Sequence, residues 1–166
     1  MKTVHIDTNI NGESLAFDVP ARMLLVDLIR DEAGLTGTHV ACDTGNCGAC
    51  TIIFNGMSVK SCQLLAARAD GAKLRTVEGM ISATGTLDPI QQAFWDCDAS
   101  ECGFCTAGML MTAAAFLETN PEPSADDIRA AFKGNFCRCT GYLNIIKAVQ
   151  RAAELRRDPA RSTPPR

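Results

Sequence analysis

Nine cysteines in a chain of 166 residues constrain this fold more than any other feature, because eight of them fall into two spaced groups. Cys42, Cys47 and Cys50 follow a C-x4-C-x2-C pattern, and Cys62 comes after a strand-turn-strand signal. Cys102 and Cys105 form a C-x2-C pair, and Cys137 and Cys139 form a C-x-C pair that begins 32 residues beyond Cys105. Cys97 lies outside both groups, as an odd total requires of pairing or four-fold ligation. The stretch from Met1 to Asp7 alternates polar and apolar residues and lacks the apolar core of an export signal, which predicts a cytoplasmic location. Thiols stay reduced there, so metal binding is favoured over disulfides.

The first group has the plant-type ferredoxin spacing, in which four thiolates hold two irons and two sulfides. Gly45, Gly48 and Ala49 are small enough for the backbone to curl closely around such a cluster and present N–H groups to its sulfurs. Four thiolates also suit tetrahedral zinc, although zinc sites more often present two close cysteine pairs. The second group offers another four: if the helices that carry its two pairs run antiparallel, the pairs meet at one end of a bundle.

The rest of the chain frames these groups. Thr3–Asn9 and Ser14–Val19 alternate in the manner of strands around an Asn11-Gly12 turn, and Thr51–Phe54 and Met57–Lys60 do the same around Asn55-Gly56. Met23–Arg30 has helical spacing and stops near Gly34, Gly37–Cys50 reads as a loop, and Lys73–Val77 supplies a last strand. The second half predicts helices over Asp88–Asp98, Gly103–Thr119, Ser124–Phe132 and Leu143–Arg156. Ser124-Ala125-Asp126-Asp127 resembles a capped start, and Pro121 and Pro123 separate the second helix from the third. The expected division is a first domain over 1–78, an all-helical domain over 79–157 and a frayed tail over 158–166; the arginine-rich stretch from Arg151 onward reads as solvated. A net charge of −3 provides no field for nucleic acid, and no apolar run approaches the ~20 residues that span a bilayer.

Three segments together strongly resemble the small iron–sulfur subunit of the xanthine oxidase family of molybdenum hydroxylases. They are Cys42-Asp43-Thr44-Gly45-Asn46-Cys47-Gly48-Ala49-Cys50-Thr51, Glu101-Cys102-Gly103-Phe104-Cys105-Thr106-Ala107-Gly108-Met109 and Gly134-Asn135-Phe136-Cys137-Arg138-Cys139-Thr140-Gly141-Tyr142. The resemblance runs from the first hairpin to about Ala153 and implies an α+β chain: a ferredoxin-like β-grasp domain followed by a four-helix bundle. It further implies two [2Fe–2S] clusters. Cys102, Cys105, Cys137 and Cys139 would hold the one nearer a molybdenum–pterin cofactor, and Cys42, Cys47, Cys50 and Cys62 the one nearer FAD. Those cofactors would sit on a large molybdopterin-binding subunit and a medium FAD-binding subunit, with two copies of each of three subunits in the assembly. Single electrons would pass from molybdenum through both clusters to flavin, with no substrate chemistry on this chain.

Glu101 stands where the family usually has a glutamine whose amide contacts the pterin, and a carboxylate can only accept hydrogen bonds. Glu101 and Cys139 are the residues expected near that cofactor. Ala107 replaces a common proline. His5 and His39 are expected to be non-ligands, His39 lying in a loop near the first cluster. Met57, Met80, Met109 and Met111 read as packing residues, Cys97 as an inert thiol, and Arg138 as a partner for a cofactor phosphate, the reduced cluster or another subunit. An exposed Trp95 would suggest a subunit interface. A free ferredoxin-type carrier and a zinc scaffold are the competing functions.

Overall fold

The computed structural model describes residues 2–158. Its first half is built on hairpins. β1 (Thr3–Ile10) pairs antiparallel with β2 (Glu13–Pro20), and β3 (Thr51–Phe54) with β4 (Met57–Lys60). Both turns are Asn-Gly with left-handed backbone at the two central residues, Asn11 and Gly12 in one and Asn55 and Gly56 in the other. That geometry matches the twist of the flanking strands. β5 (Lys73–Arg75) lies between the hairpins, parallel to β1 and antiparallel to β3, giving a five-stranded sheet in the order β2-β1-β5-β3-β4. The strand expected over Lys73–Val77 ends early because Asn11 takes over from the ladder: its Oδ1 accepts from Thr76 N at 2.8 Å and its Nδ2 donates to Thr76 Oγ1 at 2.9 Å.

The helix expected over Met23–Arg30 is shorter and wider. α1 (Leu25–Asp27) passes into a π-helical segment, Leu28–Glu32, where Ala33 N–H donates to Leu28 O at 2.9 Å, and Gly34 ends it in the left-handed region. Leu25, Leu28 and Ile29 are fully buried with Ile6, Ile10, Ile52 and Leu74 in the core of the sheet domain. Burying one such side chain stabilises the fold by about 1.5–3 kcal/mol.

Four helices follow: α2 (Pro89–Asp96), α3 (Thr106–Thr119), α4 (Ala125–Ala131) and α5 (Leu143–Arg157). Asp88 and Gln91 form a capping box ahead of α2, and Ser124 and Asp127 form one ahead of α4. α3 starts at Thr106 rather than Gly103, because Gly103 adopts a left-handed backbone. It is buried nearly all round, from Ala107 through Ala114. Such a helix must be covered on two sides. Ile53 of β3 joins the helical core of Ile90, Met109, Leu117, Ile128 and Ile145, so α3 is the layer between sheet and bundle.

The solvated tail expected from Arg151 is corrected over its first half. Arg151–Arg157 completes α5, with Ala152, Ala153 and Leu155 buried and Arg156 and Arg157 paired to Glu118 and Glu122. Asp158 N–H still donates to Glu154 O, and residues 159–166 of the expected tail lie outside the described residues. Met80, Met109 and Met111 are buried, but Met57 is 65% exposed at a hairpin tip, a correction to its reading as packing. No described helix is long and apolar enough to cross a membrane.

Candidate metal centres

Cys42, Cys47 and Cys50 lie on the loop between Gly34 and β3, and Cys62 lies in a 3-10 turn, Ser61–Gln63, directly after β4. The loop curls through left-handed backbone at Asp43, Gly45 and Gly48. Gln63 fastens it: Nε2 donates to Asp43 O at 2.9 Å and to Cys62 Sγ at 3.3 Å. Cys47 N–H donates to Cys42 Sγ at 3.3 Å. The Thr44 hydroxyl, with the amides of Cys47 and Thr44, holds the Cys42 thiol down to about 6. Burial pushes Cys50 up to about 11, and neighbouring Cys62 and Cys47 add to the rise. Lys60 is half-buried, and desolvation lowers its pKa, opposed by the negative charge of Cys50, Cys47, Cys62 and Cys42. All four sulfurs of the set therefore lie within the field of one ammonium, whose Nζ also donates to Thr51 Oγ1 at 2.9 Å.

The second set is assembled from two loops. Cys102 precedes α3 and Cys105 is its N-cap, while Cys137 and Cys139 lie between the 3-10 turn Phe132–Gly134 and α5. Cys139 Sγ is 3.7 Å from Cys102 Sγ. Burial pushes Cys105 up to about 12, and a hydrogen bond with Cys137 adds to it. Burial also acts to raise Cys137, but its net shift is downward because Thr140 donates from Oγ1 at 3.1 Å and from N at 3.4 Å. Cys139 is raised by its contact with Cys102.

Both sets have the chemistry that a [2Fe–2S] cluster requires: four sulfur donors, N–H and O–H groups aimed at sulfur, and thiols whose ionisation in a crowded, partly desolvated place is relieved by bound cations. Among the described residues, no group of three or more His, Cys, Asp or Glu side chains is gathered as a site for a single metal ion.

The two sets are neighbours. Phe136 N–H, next to Cys137, donates to Cys47 O at 2.7 Å. His39 stacks on Phe104 with ring centroids 4.7 Å apart, and its Nδ1 lies 2.8 Å from Phe104 O. Sequence reasoning placed His39 near the first set only; in the structure it links the first loop to the second. His5 lies instead at the far hairpin, between Asp7 and Asp18. Cys97 caps α2, half-buried, its thiol raised by burial and by Asp96. The second set opens to the surface on one edge, where Glu101, Cys102, Arg138 and Cys139 are exposed, together with Phe104 and Phe136. Lys60, Gln63, Asn135 and Thr140 went unnoticed in the sequence, although three of them lie within two residues of a cysteine in one of the two sets and the fourth, Thr140, directly follows one.

The chain matches two family models, a 2Fe-2S iron-sulfur cluster binding domain over residues 8–76 and a [2Fe-2S] binding domain over residues 76–150. It is 47% identical over 146 residues to the nicotine 6-hydroxylase small subunit of Paenarthrobacter nicotinovorans, covering 88% of this chain and 87% of that one. It is 43% identical over 154 residues to the nicotinate dehydrogenase small FeS subunit of Eubacterium barkeri, covering 93% and 98%. Among solved structures, a chain of quinoline 2-oxidoreductase from Pseudomonas putida 86 superposes with a TM-score of 0.90 at 44% identity, covering 95% of this chain and 98% of that one.

Proposed function

This chain belongs to the small iron–sulfur subunits of the xanthine oxidase family of molybdenum hydroxylases, and from that premise we propose that it relays single electrons from a molybdenum–pterin site to FAD within a heteromeric oxidoreductase. Cys42, Cys47, Cys50 and Cys62 hold one [2Fe–2S] cluster in this reading, and Cys102, Cys105, Cys137 and Cys139 the other. When bound, each cluster supplies a one-electron carrier, which lets a two-electron oxidation be passed on in single steps. The observation that carries the reading is the junction of the two groups of four thiols: the loop of Cys42, Cys47 and Cys50 is joined to the loop of Cys137 and Cys139 by the Phe136 N–H to Cys47 O hydrogen bond.

The chain's own residues position and tune. Thr44, Thr140, Gln63 and the amides of Cys47 and Thr140 donate to sulfur, and hydrogen bonds of that kind favour the reduced, more negative state. Lys60 acts in the same direction through its charge. The exposed edge at Glu101, Cys102 and Cys139 suits contact with the pterin of a large subunit, with Glu101 accepting hydrogen bonds there. The more buried first set then faces a medium FAD-binding subunit. Residues 1–78 form the ferredoxin-like part and 79–157 the helical part of this relay. The assembly holds two copies of each of three subunits and resides in the cytoplasm.

Electron paramagnetic resonance on the anaerobically reduced complex tests the proposal, with iron and acid-labile sulfide counted on the same sample. Two distinct half-spin signals with about four irons and four sulfides per copy of this chain are expected. One signal with half that iron removes the second set from the relay, and bound zinc without a signal overturns the function.

A further inference from the structure

The loops that carry the two cysteine sets meet across one buried side-chain amide. Asn135 is 2% exposed, and both ends of its amide are engaged. Its Oδ1 accepts from Thr112 Oγ1 at 3.0 Å, and its Nδ2 donates to Gly48 O and to Gly108 O, each at 3.3 Å. Gly48 belongs to the first cysteine loop, Gly108 and Thr112 to α3, which Cys105 caps, and Asn135 leads into Cys137. One planar group on the third segment therefore binds two others, and the three bear cysteines of both sets. The backbone around it is tied as well: Tyr142 OH donates to Asn135 O at 3.3 Å and accepts from Cys137 N–H at 2.8 Å.

The segments approach so closely that side chains are excluded. A Cβ on Gly48 would lie 2.3 Å from Gly134 O, and one on Gly108 would lie 2.1 Å from Gly48 O. Gly48 O already accepts from Thr51 N at 3.2 Å and Thr51 Oγ1 at 2.7 Å, so it does not need Asn135 for satisfaction. What the amide adds is a fixed link between the loops. An aspartate could not make the same link, because an ionised carboxylate has no hydrogen to donate to Gly48 O and Gly108 O.

We infer that Asn135 is a positioning residue that sets the separation and mutual orientation of the two cysteine sites, and through them the rate of electron exchange between the two. The inference rests on the proposed relay. Electron exchange and magnetic interaction between two centres both fall steeply with distance, so a small loosening of the loops registers in both before either site loses its metal.

The test uses the assembled holoenzyme carrying Asn135→Ala, with Thr112→Val as a milder companion that removes only the donor to Oδ1. Iron and sulfide are counted, the potential and signal of each cluster are recorded, and the splitting produced by magnetic interaction is measured with both clusters reduced. Asn135→Ala is expected to keep full iron and the individual signals while the splitting falls and inter-cluster exchange slows several-fold; Thr112→Val should change both in the same direction by less. Unchanged splitting and exchange in an iron-replete Asn135→Ala enzyme overturns the inference. If that variant fails to assemble, unchanged splitting in Thr112→Val overturns it instead. A wild-type enzyme without two half-spin signals removes the relay itself, an outcome distinct from variants that behave like wild type.

Discussion

Gly48 and Gly56 both have left-handed backbone, yet their surroundings separate two roles for glycine. A Cβ at Gly56 meets nothing within 4 Å, whereas one at Gly48 runs into Gly134 O. Gly56→Ala should therefore cost about 1–2 kcal/mol, the price of left-handed backbone alone. Gly48→Ala adds a backbone collision at the junction of the two loops and should cost more than about 3 kcal/mol. Denaturant midpoints of the iron-loaded protein check the order, and equal losses would contradict a packed junction. His5 offers a second test at this scale. The hydrogen bond and charge of Asp18, then the charge of Asp7, raise its pKa above the ordinary 6.5. A raised histidine contributes stability that is fully present below the ordinary value and is lost as pH rises through the folded one. Asp18→Asn should bring the midpoint of the His5 ring resonances back toward 6.5. At this scale the cysteine spacing was legible, because close ligands are supplied by a short segment. Asn135 was not, since its partners lie 23, 27 and 87 residues away.

The fourth helix shows how an element is specified locally. Ser124 accepts from Asp127 N–H, and Asp127 accepts in turn from Ser124 N–H and its hydroxyl. Ser124→Ala should cost about 1 kcal/mol, read from thermal or chemical unfolding. The hydroxyl and amide of Ser124 hold the Asp127 carboxyl below its usual range. A depressed carboxylate contributes stability above the ordinary value, lost as pH falls through the folded one. Ser124→Ala should consequently flatten the acid side of the stability profile, and a wild-type slope in the variant would rule the capping box out as its source. Both Asn-Gly hairpins and the starts of α2 and α4 were legible for the same reason: caps and turns are set by residues within a few positions. The π-helical widening after α1, the early end of β5 and the late start of α3 were not. The early end of β5 follows from its partner Asn11, and the late start of α3 from the backbone angle of Gly103.

Across the whole molecule, α3 joins a sheet core to a helical core, and the two cysteine sets lie along that seam. Removing iron with a chelator should lower the melting temperature, because metal bound to the folded sites alone adds its binding free energy to folding and links segments distant in the chain. Trp95, 77% exposed on α2, is the largest aromatic surface left uncovered among the described residues. Trp95→Lys should reduce the recovery of partner subunits in co-purification while leaving iron content unchanged; full recovery would place the interface elsewhere. The sequence by itself determined the donor chemistry, the order of strands and helices and the family, because ligand type, turn type and apolar period are properties of short segments. Only the tertiary structure decided that Cys102 meets Cys139, that His39 reaches across to Phe104, and that one amide ties its own segment to two others. Those contacts depend on how two separately patterned halves pack against α3, and the close approach of backbones at Gly48 and Gly108 that permits them leaves no periodic trace in the chain.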